Sequence, residues 1–210
     1  LSVDKFSYNV IQAPNQAQPK KVSVIECITN ADNVEPGKFS LEAGKGAFEA
    51  LRHAVQDLKA GEIDALVTLP IDKSSIQSEE FQFPGHTEYL AQQFGQESSL
   101  MFMIHDRLKV AVVTGHVPLA NVSKAITVEL ILKKLRIMNM SLKTDFNVDK
   151  PKIAVLGLNP HAGDNGLLGK EDKERIVKAV EDAQRERIFA MGPYSADGFF
   201  GMGLFKKFDA

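Results

Sequence analysis

The chain has 210 residues, 44% of them hydrophobic and 25% charged, with a formal net charge of −2. That length builds one sizeable core or two lobes sharing a sheet, and that balance excludes a disordered or fibrous chain. Lys and Arg are scattered among Asp and Glu, so no basic stripe invites nucleic acid or an anionic membrane, and the longest apolar runs, 66–71 and 110–113, fall far short of a spanning helix.

A soluble protein with no nucleic-acid or membrane partner is therefore expected. Cys27 is the sole cysteine, which rules out an internal disulfide or a cysteine zinc cluster and suits a reducing cytoplasm. The first residues, LSVDKFSYNV, have neither the basic start nor the apolar core of a secretory signal. They also lack an initiator Met, which suggests a piece of a longer product.

In chain order, VSVIEC (22–27), IDALVTL (63–69), LMFMI (100–104), KVAVVTG (109–115) and KIAVLGL (152–158) read as buried strands, because polar residues are rare on either face. Between them, Phe48, Leu51, Val55 and Leu58 recur at helical spacing and predict an amphipathic helix over about 40–60. Val128, Ile131, Leu132 and Leu135 do the same in 124–139. Ile176, Val177, Val180 and Ala183 form the stripe of a helix near 170–187, with Glu171 and Asp172 in its first turn, where the macrodipole favours acidic groups. Segments 12–20 and 141–151 read as loops. Strand–helix alternation of this kind predicts a layered α/β fold with a largely parallel sheet.

In such sheets, ligand groups collect on loops that follow strand carboxyl ends. His116 follows VAVVTG and precedes Val117-Pro118. His161 follows IAVLGL and precedes Ala162-Gly163, while His86 opens a helix after the turn at Pro84-Gly85. Glycines at 85, 115 and 163 permit turns of positive φ or close approach to a ligand. Each histidine alone reads as a hydrogen-bonded turn residue. Two strands that both end in a histidine can also place both imidazoles on one rim of a sheet, and neutral imidazole suits zinc, cobalt or iron. A catalytic metal takes three protein ligands, so a third would come from Asp164, Asp197, a partner subunit or sequence outside this chain. On the residues alone, a shared metal site and two turn histidines both stand. His53, in a helix, and His105, in a turn, read as solvated.

Asp72 and Lys73 in TLPIDK could meet a substrate, or Asp72 could cap a helix start. GDNGLLGKED (163–172) is either a phosphate cradle at a helix N-terminus or a plain connection. GPYSADGFF (192–200) reads as a turn. Neither GKGAFEA nor GMGLFKK supplies the third glycine of a dinucleotide fingerprint, so the residues themselves point to no nicotinamide.

Taken together, DALVTLPIDK, FPGHTEYLA, VAVVTGHVPLANV, AVLGLNPHAGDNGLLGKED and GPYSADGFF resemble, in order and spacing, the 4-hydroxythreonine-4-phosphate dehydrogenase family of vitamin B6 (pyridoxal phosphate) biosynthesis. The resemblance covers nearly all of the chain from Lys38 onward. It implies an isocitrate-dehydrogenase-like fold, two-lobed in the whole protein, with a homodimer completing each active site. It also implies NAD and a divalent metal (zinc, magnesium or cobalt) as cofactors, and oxidation of the phosphorylated hydroxy-amino acid 4-phosphooxy-L-threonine to a 3-oxo acid that decarboxylates to 3-amino-2-oxopropyl phosphate. By motif, His86 and Thr87 correspond to substrate-binding residues, and His116 and His161 to two of three metal histidines. No catalytic acid or base is assigned.

Several features depart from the family pattern. The family's third metal histidine lies in a YHDQG motif, and this sequence ends at LFKKFDA before such a motif. The family's opening GDPAGIG-like strand and loop, and its Lys, Asn and Arg substrate contacts, are likewise not in residues 1–210. Asp72 stands where Asn or Ser is frequent, and Gly198-Phe199 where Thr-Leu is frequent. The expectation is a partial catalytic region, shortened at both ends and inactive alone. Competing readings are a paralogous dehydrogenase of 4-phospho-threonate or 4-phospho-erythronate, a metal-dependent hydrolase, and a binding module with structural histidines.

Overall fold

The computed structural model describes residues 7–28, 35 and 37–210. The chain divides into two units, 1–99 and 100–210, each with its own apolar core. The α/β class holds, with strands and helices mixed in both units.

In the first unit, β1 (Tyr8–Ile11) pairs in parallel with β2 (Val22–Ile25). The predicted helix appears as α1 (Leu41–Ala60). Its start is set by Ser40, whose side chain accepts the Ala43 N–H at 3.1 Å and so satisfies one of the donors a helix N-terminus leaves open. Phe48, Leu51 and Val55 are buried as their spacing requires. They pack with Ile76, Phe81 and Tyr89, whose rings meet Phe48 largely edge-on at 5.6 and 5.9 Å between centroids. Tyr89 belongs to α2 (His86–Gln93), so this aromatic cluster fixes the helix that His86 and Thr87 begin.

The expected strand over 63–69 does not form. The segment has no ladder partner among the described residues, and Val67 and Leu69 are 90% and 81% exposed. An apolar run becomes a strand only where a neighbour takes its N–H and C=O groups.

In the second unit, β3 (Phe102–His105) and β4 (Leu108–Ala111) pair antiparallel. The other two strand pairs among the described residues are parallel, in keeping with the expected sheet, and this pair is the exception. Only Asp106 and Arg107 separate the two strands, and so short a link permits a hairpin but never a parallel crossover. β4 also stops at Ala111, short of the predicted 115. A short helix, α3 (Leu119–Ala125), then precedes α4 (Val128–Thr144), whose N-cap Thr127 accepts the Leu130 N–H at 3.1 Å. The helix expected over 124–139 thus begins four residues later and runs into the predicted loop 141–151, ending at Thr144.

β5 (Lys152–Leu156) pairs in parallel with β6 (Phe189–Tyr194). The ladder is irregular, because Ala154 faces Met191 while Leu156 faces Tyr194. β6 covers the start of GPYSADGFF, which was read as a turn, and α6 (Ala196–Gly201) covers most of the remainder. Between β5 and β6 a π-helical turn (Asp172–Ile176) leads into α5 (Val177–Arg185). Ile176, Ala179, Val180 and Ala183 are buried against Ile131, Leu135, Met138, Leu142 and Ile153. No helix among the described residues is long and apolar enough to cross a membrane.

Gly44 marks the tightest approach in the first unit: a Cβ there would lie 1.9 Å from the Ser75 carbonyl oxygen, a backbone atom that cannot swing aside. Gly44→Ala is expected to destabilise the first unit by about 1–3 kcal/mol, the usual penalty of overpacking, despite alanine's better helix propensity. Urea unfolding of the variant checks this, and equal or greater stability would contradict the packing.

Candidate functional site

The residues singled out by sequence fall in both units. In the first, half-buried His86 and Thr87 form the first turn of α2, anchored by Tyr89 below them. Gly85 before them is fully extended (φ 176°) rather than left-handed. Asp72 serves as a cap. Its Oδ1 accepts the N–H groups of Ser74 and Ser75 at 2.9 and 2.8 Å and the Ser74 hydroxyl at 2.5 Å, and these bonds, led by the hydroxyl, hold its carboxyl below the usual range. Asp72 therefore organises a turn at 73–75, where one sequence reading expected a helix start.

In the second unit, His116 lies in the loop between β4 and α3, exposed and in left-handed backbone (φ 52°). His161 lies after β5, also exposed and left-handed (φ 54°). Of the glycines at 85, 115 and 163, only Gly163 is left-handed; His116 and His161 carry that conformation themselves. His161 begins a run, from 161 to 165, in which every residue is left-handed. Such backbone costs an L-residue roughly 1–2 kcal/mol, less for Asn and Asp, so the surrounding structure must impose it.

Asp172 does so. It is 1% exposed, and its carboxylate accepts the N–H of Leu158 at 2.8 Å, the N–H of Asn159 at 3.2 Å and the Asn159 side-chain amide at 2.9 Å. Gly157 makes room for it, since a Cβ at that position would stand 2.7 Å from Asp172 Oδ1 and 2.9 Å from the Ala162 backbone. The neighbouring Glu171 accepts the Ser123 hydroxyl at 2.5 Å and the Asn159 amide at 3.0 Å. Those two side-chain bonds, with Ser123 the larger influence, and a backbone N–H lower the Glu171 carboxyl from 4.5 to about 2. Leu167 and Leu168 close the turn by donating to the carbonyls of Asp164 and Gly163. GDNGLLGKED is thus a hydrogen-bonded turn whose helix end is occupied by its own two carboxylates, an arrangement that repels phosphate.

Asp197, in the first turn of α6, places Oδ2 3.9 Å from His161 Nδ1. Its carboxyl is held low by the Ser195 hydroxyl first, then by the Gly198 N–H and the nearby His161. The donor chemistry of His116, His161 and Asp197 fits a divalent cation, with two imidazoles on loops and one carboxylate at a helix start, all in one unit. The count is short, however: among the described residues no three His, Cys, Asp or Glu side chains gather closely enough to hold a metal. His105 ends β3 and His53 lies on α1, both exposed, as expected. An apolar cavity of about 220 Å³ between the β3–β4 hairpin, α4 and β5 is lined by none of the histidines.

Sequence reasoning missed Ser123, Asn159 and Arg175 as members of this arrangement. The one signal for it was the acidic pair Glu171-Asp172 at a helix start, which read as a response to the helix dipole.

The fold defines the class first. A solved 4-hydroxythreonine-4-phosphate dehydrogenase from Klebsiella pneumoniae matches 96% of this chain and 62% of its own with a TM-score of 0.86 at 27% identity. One from Burkholderia phymatum matches 97% of this chain and 62% of its own with a TM-score of 0.78 at 31% identity. A terephthalate 1,2-cis-dihydrodiol dehydrogenase from Burkholderia xenovorans shares the fold at 20% identity, with a TM-score of 0.60 over 93% of this chain and 60% of its own. The class is an α/β fold found in dehydrogenases. At the level of sequence, the model of the family described as pyridoxal phosphate biosynthetic protein PdxA matches residues 1–210. A 4-hydroxythreonine-4-phosphate dehydrogenase of Bacteroides thetaiotaomicron is 44% identical over 97% of this chain and 56% of its own length, and that of Aquifex aeolicus is 38% identical over 93% and 60%. The chain belongs to the PdxA family, and it spans a little over half the length of these relatives.

The depressed Glu171 carboxyl makes a pH prediction. A carboxyl whose folded pKa lies below its unfolded value stabilises the fold above the unfolded pKa, and that stability is lost as pH falls through the folded pKa. Wild type should therefore exceed Glu171→Gln in unfolding free energy at neutral pH, with the difference shrinking from pH 4.5 toward about 2. A pH-independent difference in denaturant titrations would show that the Ser123 and Asn159 bonds do not favour the ionised form.

Proposed function

We propose that this chain is the larger part of a cytoplasmic, homodimeric, NAD- and divalent-metal-dependent oxidoreductase that converts 4-phosphooxy-L-threonine to a 3-oxo acid, which decarboxylates to 3-amino-2-oxopropyl phosphate for pyridoxal phosphate synthesis. The observation that carries this reading is the 44% identity, across nearly the whole chain, to a relative named for that dehydrogenase activity. The site residues support it, since His116 and His161 both present imidazoles on loops that follow strands of the second unit.

In this reading His86 and Thr87 bind substrate from the start of α2. His116 and His161 hold the metal, with Asp197 beside His161 as a neighbouring acceptor. When bound, the cation supplies Lewis acidity to the substrate hydroxyl and to the new ketone, and NAD accepts the hydride. The secondary alcohol loses a hydride and its hydroxyl proton. The resulting 3-oxo acid then releases carbon dioxide and takes up a proton at the adjacent carbon. Both histidines combine left-handed backbone with exposed side chains, which a ligand can reach.

The test uses the whole enzyme with 4-phosphooxy-L-threonine, NAD and a divalent metal. NADH is expected to form, a chelator to abolish it and added metal to restore it. His116→Ala and His161→Ala should each lower kcat/KM by more than about 100-fold, because even partners one bond removed from a metal cost 10–100-fold. No NADH from metal-replete enzyme would overturn the proposal, whereas NADH only from 4-phospho-threonate or 4-phospho-erythronate would reassign its substrate.

A further inference from the structure

We propose that Ser123, Asn159, Glu171, Asp172 and Arg175 form a clamp that sets the position of the His161 loop relative to the segment following His116, and so tunes any metal the two histidines hold. This deepens the function proposed above and rests on it for the metal, though not for the clamp.

The two histidines lie on different loops, and among the described residues no strand ladder joins β4 to β5. What connects the loops is a set of side chains from the start of the π-helical turn. Glu171 takes the hydroxyl of Ser123, on α3, with one oxygen and the amide of Asn159, two residues before His161, with the other. Asp172 holds the same Asn159 by both its backbone and its side chain, and also holds Leu158. One guanidinium nitrogen of Arg175 donates to the carbonyls of Ser123 and Ile126 at 2.6 and 2.8 Å, securing the end of α3. Residues 171, 172 and 175 stand at i, i+1 and i+4, within about 100° of one another around a helix, so one side carries all three. Here the Val177 N–H reaches the Asp172 carbonyl across five residues, a widened turn of the kind that recurs at functional sites.

Every member bonds to another member or to backbone of the two histidine segments, and none hydrogen-bonds to His116 or His161. That is the place of a positioning group. Removing such groups from metal sites weakens binding while leaving the ligands themselves intact.

The test uses the whole enzyme, with Co2+ alone as the probe, and measures its visible absorption and its Kd in wild type, Ser123→Ala, Ser123→Thr and His161→Ala. Hydrogen exchange over 157–165 is followed in parallel. Ser123→Ala is expected to raise the Kd for Co2+ about 10-fold, alter the cobalt spectrum and speed exchange at Leu158 and Asn159, on the far side of the clamp from the substitution. Ser123→Thr, which keeps the hydroxyl, should restore all three. Exchange in 157–165 unchanged by Ser123→Ala would overturn the clamp, as would Co2+ affinity and spectrum equal to wild type. Should wild type bind Co2+ no better than His161→Ala, the dehydrogenase reading and the metal half of this proposal fall together, and the exchange data alone then decide the clamp.

Discussion

A buried carboxylate carries the architecture of the second unit's candidate site. Asp172 is withdrawn from water, and an unpaired carboxylate in that position would cost several kcal/mol. It is satisfied by three N–H donors, all from Leu158 and Asn159. The dependence runs both ways. Those donors lie two and three residues beyond β5, and without Asp172 two of them would be backbone N–H groups stranded at about 1–3 kcal/mol each. The carboxylate and the loop can be buried only together, so the conformation of one fixes that of the other.

This mutual requirement explains how left-handed backbone persists over 161–165. Four of the five residues are not glycine, and the summed cost of several kcal/mol would unwind a free loop. The loop is pinned at both ends, by Asp172 and Glu171 at Asn159 and by the turn bonds of Leu167 and Leu168. Between the pins the chain must reverse within a few residues. His161 is exposed while the carboxylate that anchors its loop, Asp172, is buried, an arrangement that costs local strain at the histidine.

Much of the fold was legible in the sequence. The spacing of Phe48, Leu51 and Val55 and of Ile176, Val180 and Ala183 located helices whose buried faces match. The run KIAVL identified β5. The failures share a cause, because strand pairing is not a local property. IDALVTL has a strand's composition but no ladder partner among the described residues, while LMFMI and KVAVV form strands that pair as a hairpin because only two residues separate them. α3 and β6 were too short or too interrupted by Gly and Pro to register as periodic.

The site was legible in a different way. Its exposed chemistry, the histidines, stood out as residue types at strand ends. Its supporting chemistry did not, because Ser123, Asn159 and Arg175 are ordinary residues until the fold brings positions 48 to 52 apart in sequence into hydrogen-bond range. Even Asp172 was noticed for the wrong reason. A helix dipole rewards an acidic group near its N-terminus with at most about 2 kcal/mol and asks nothing of its direction. Three directed N–H bonds to a buried carboxylate demand one position, one orientation and a glycine at 157 to admit it. The dipole explains why an acid is tolerated at that helix start, whereas the loop it must satisfy explains why the acid faces inward.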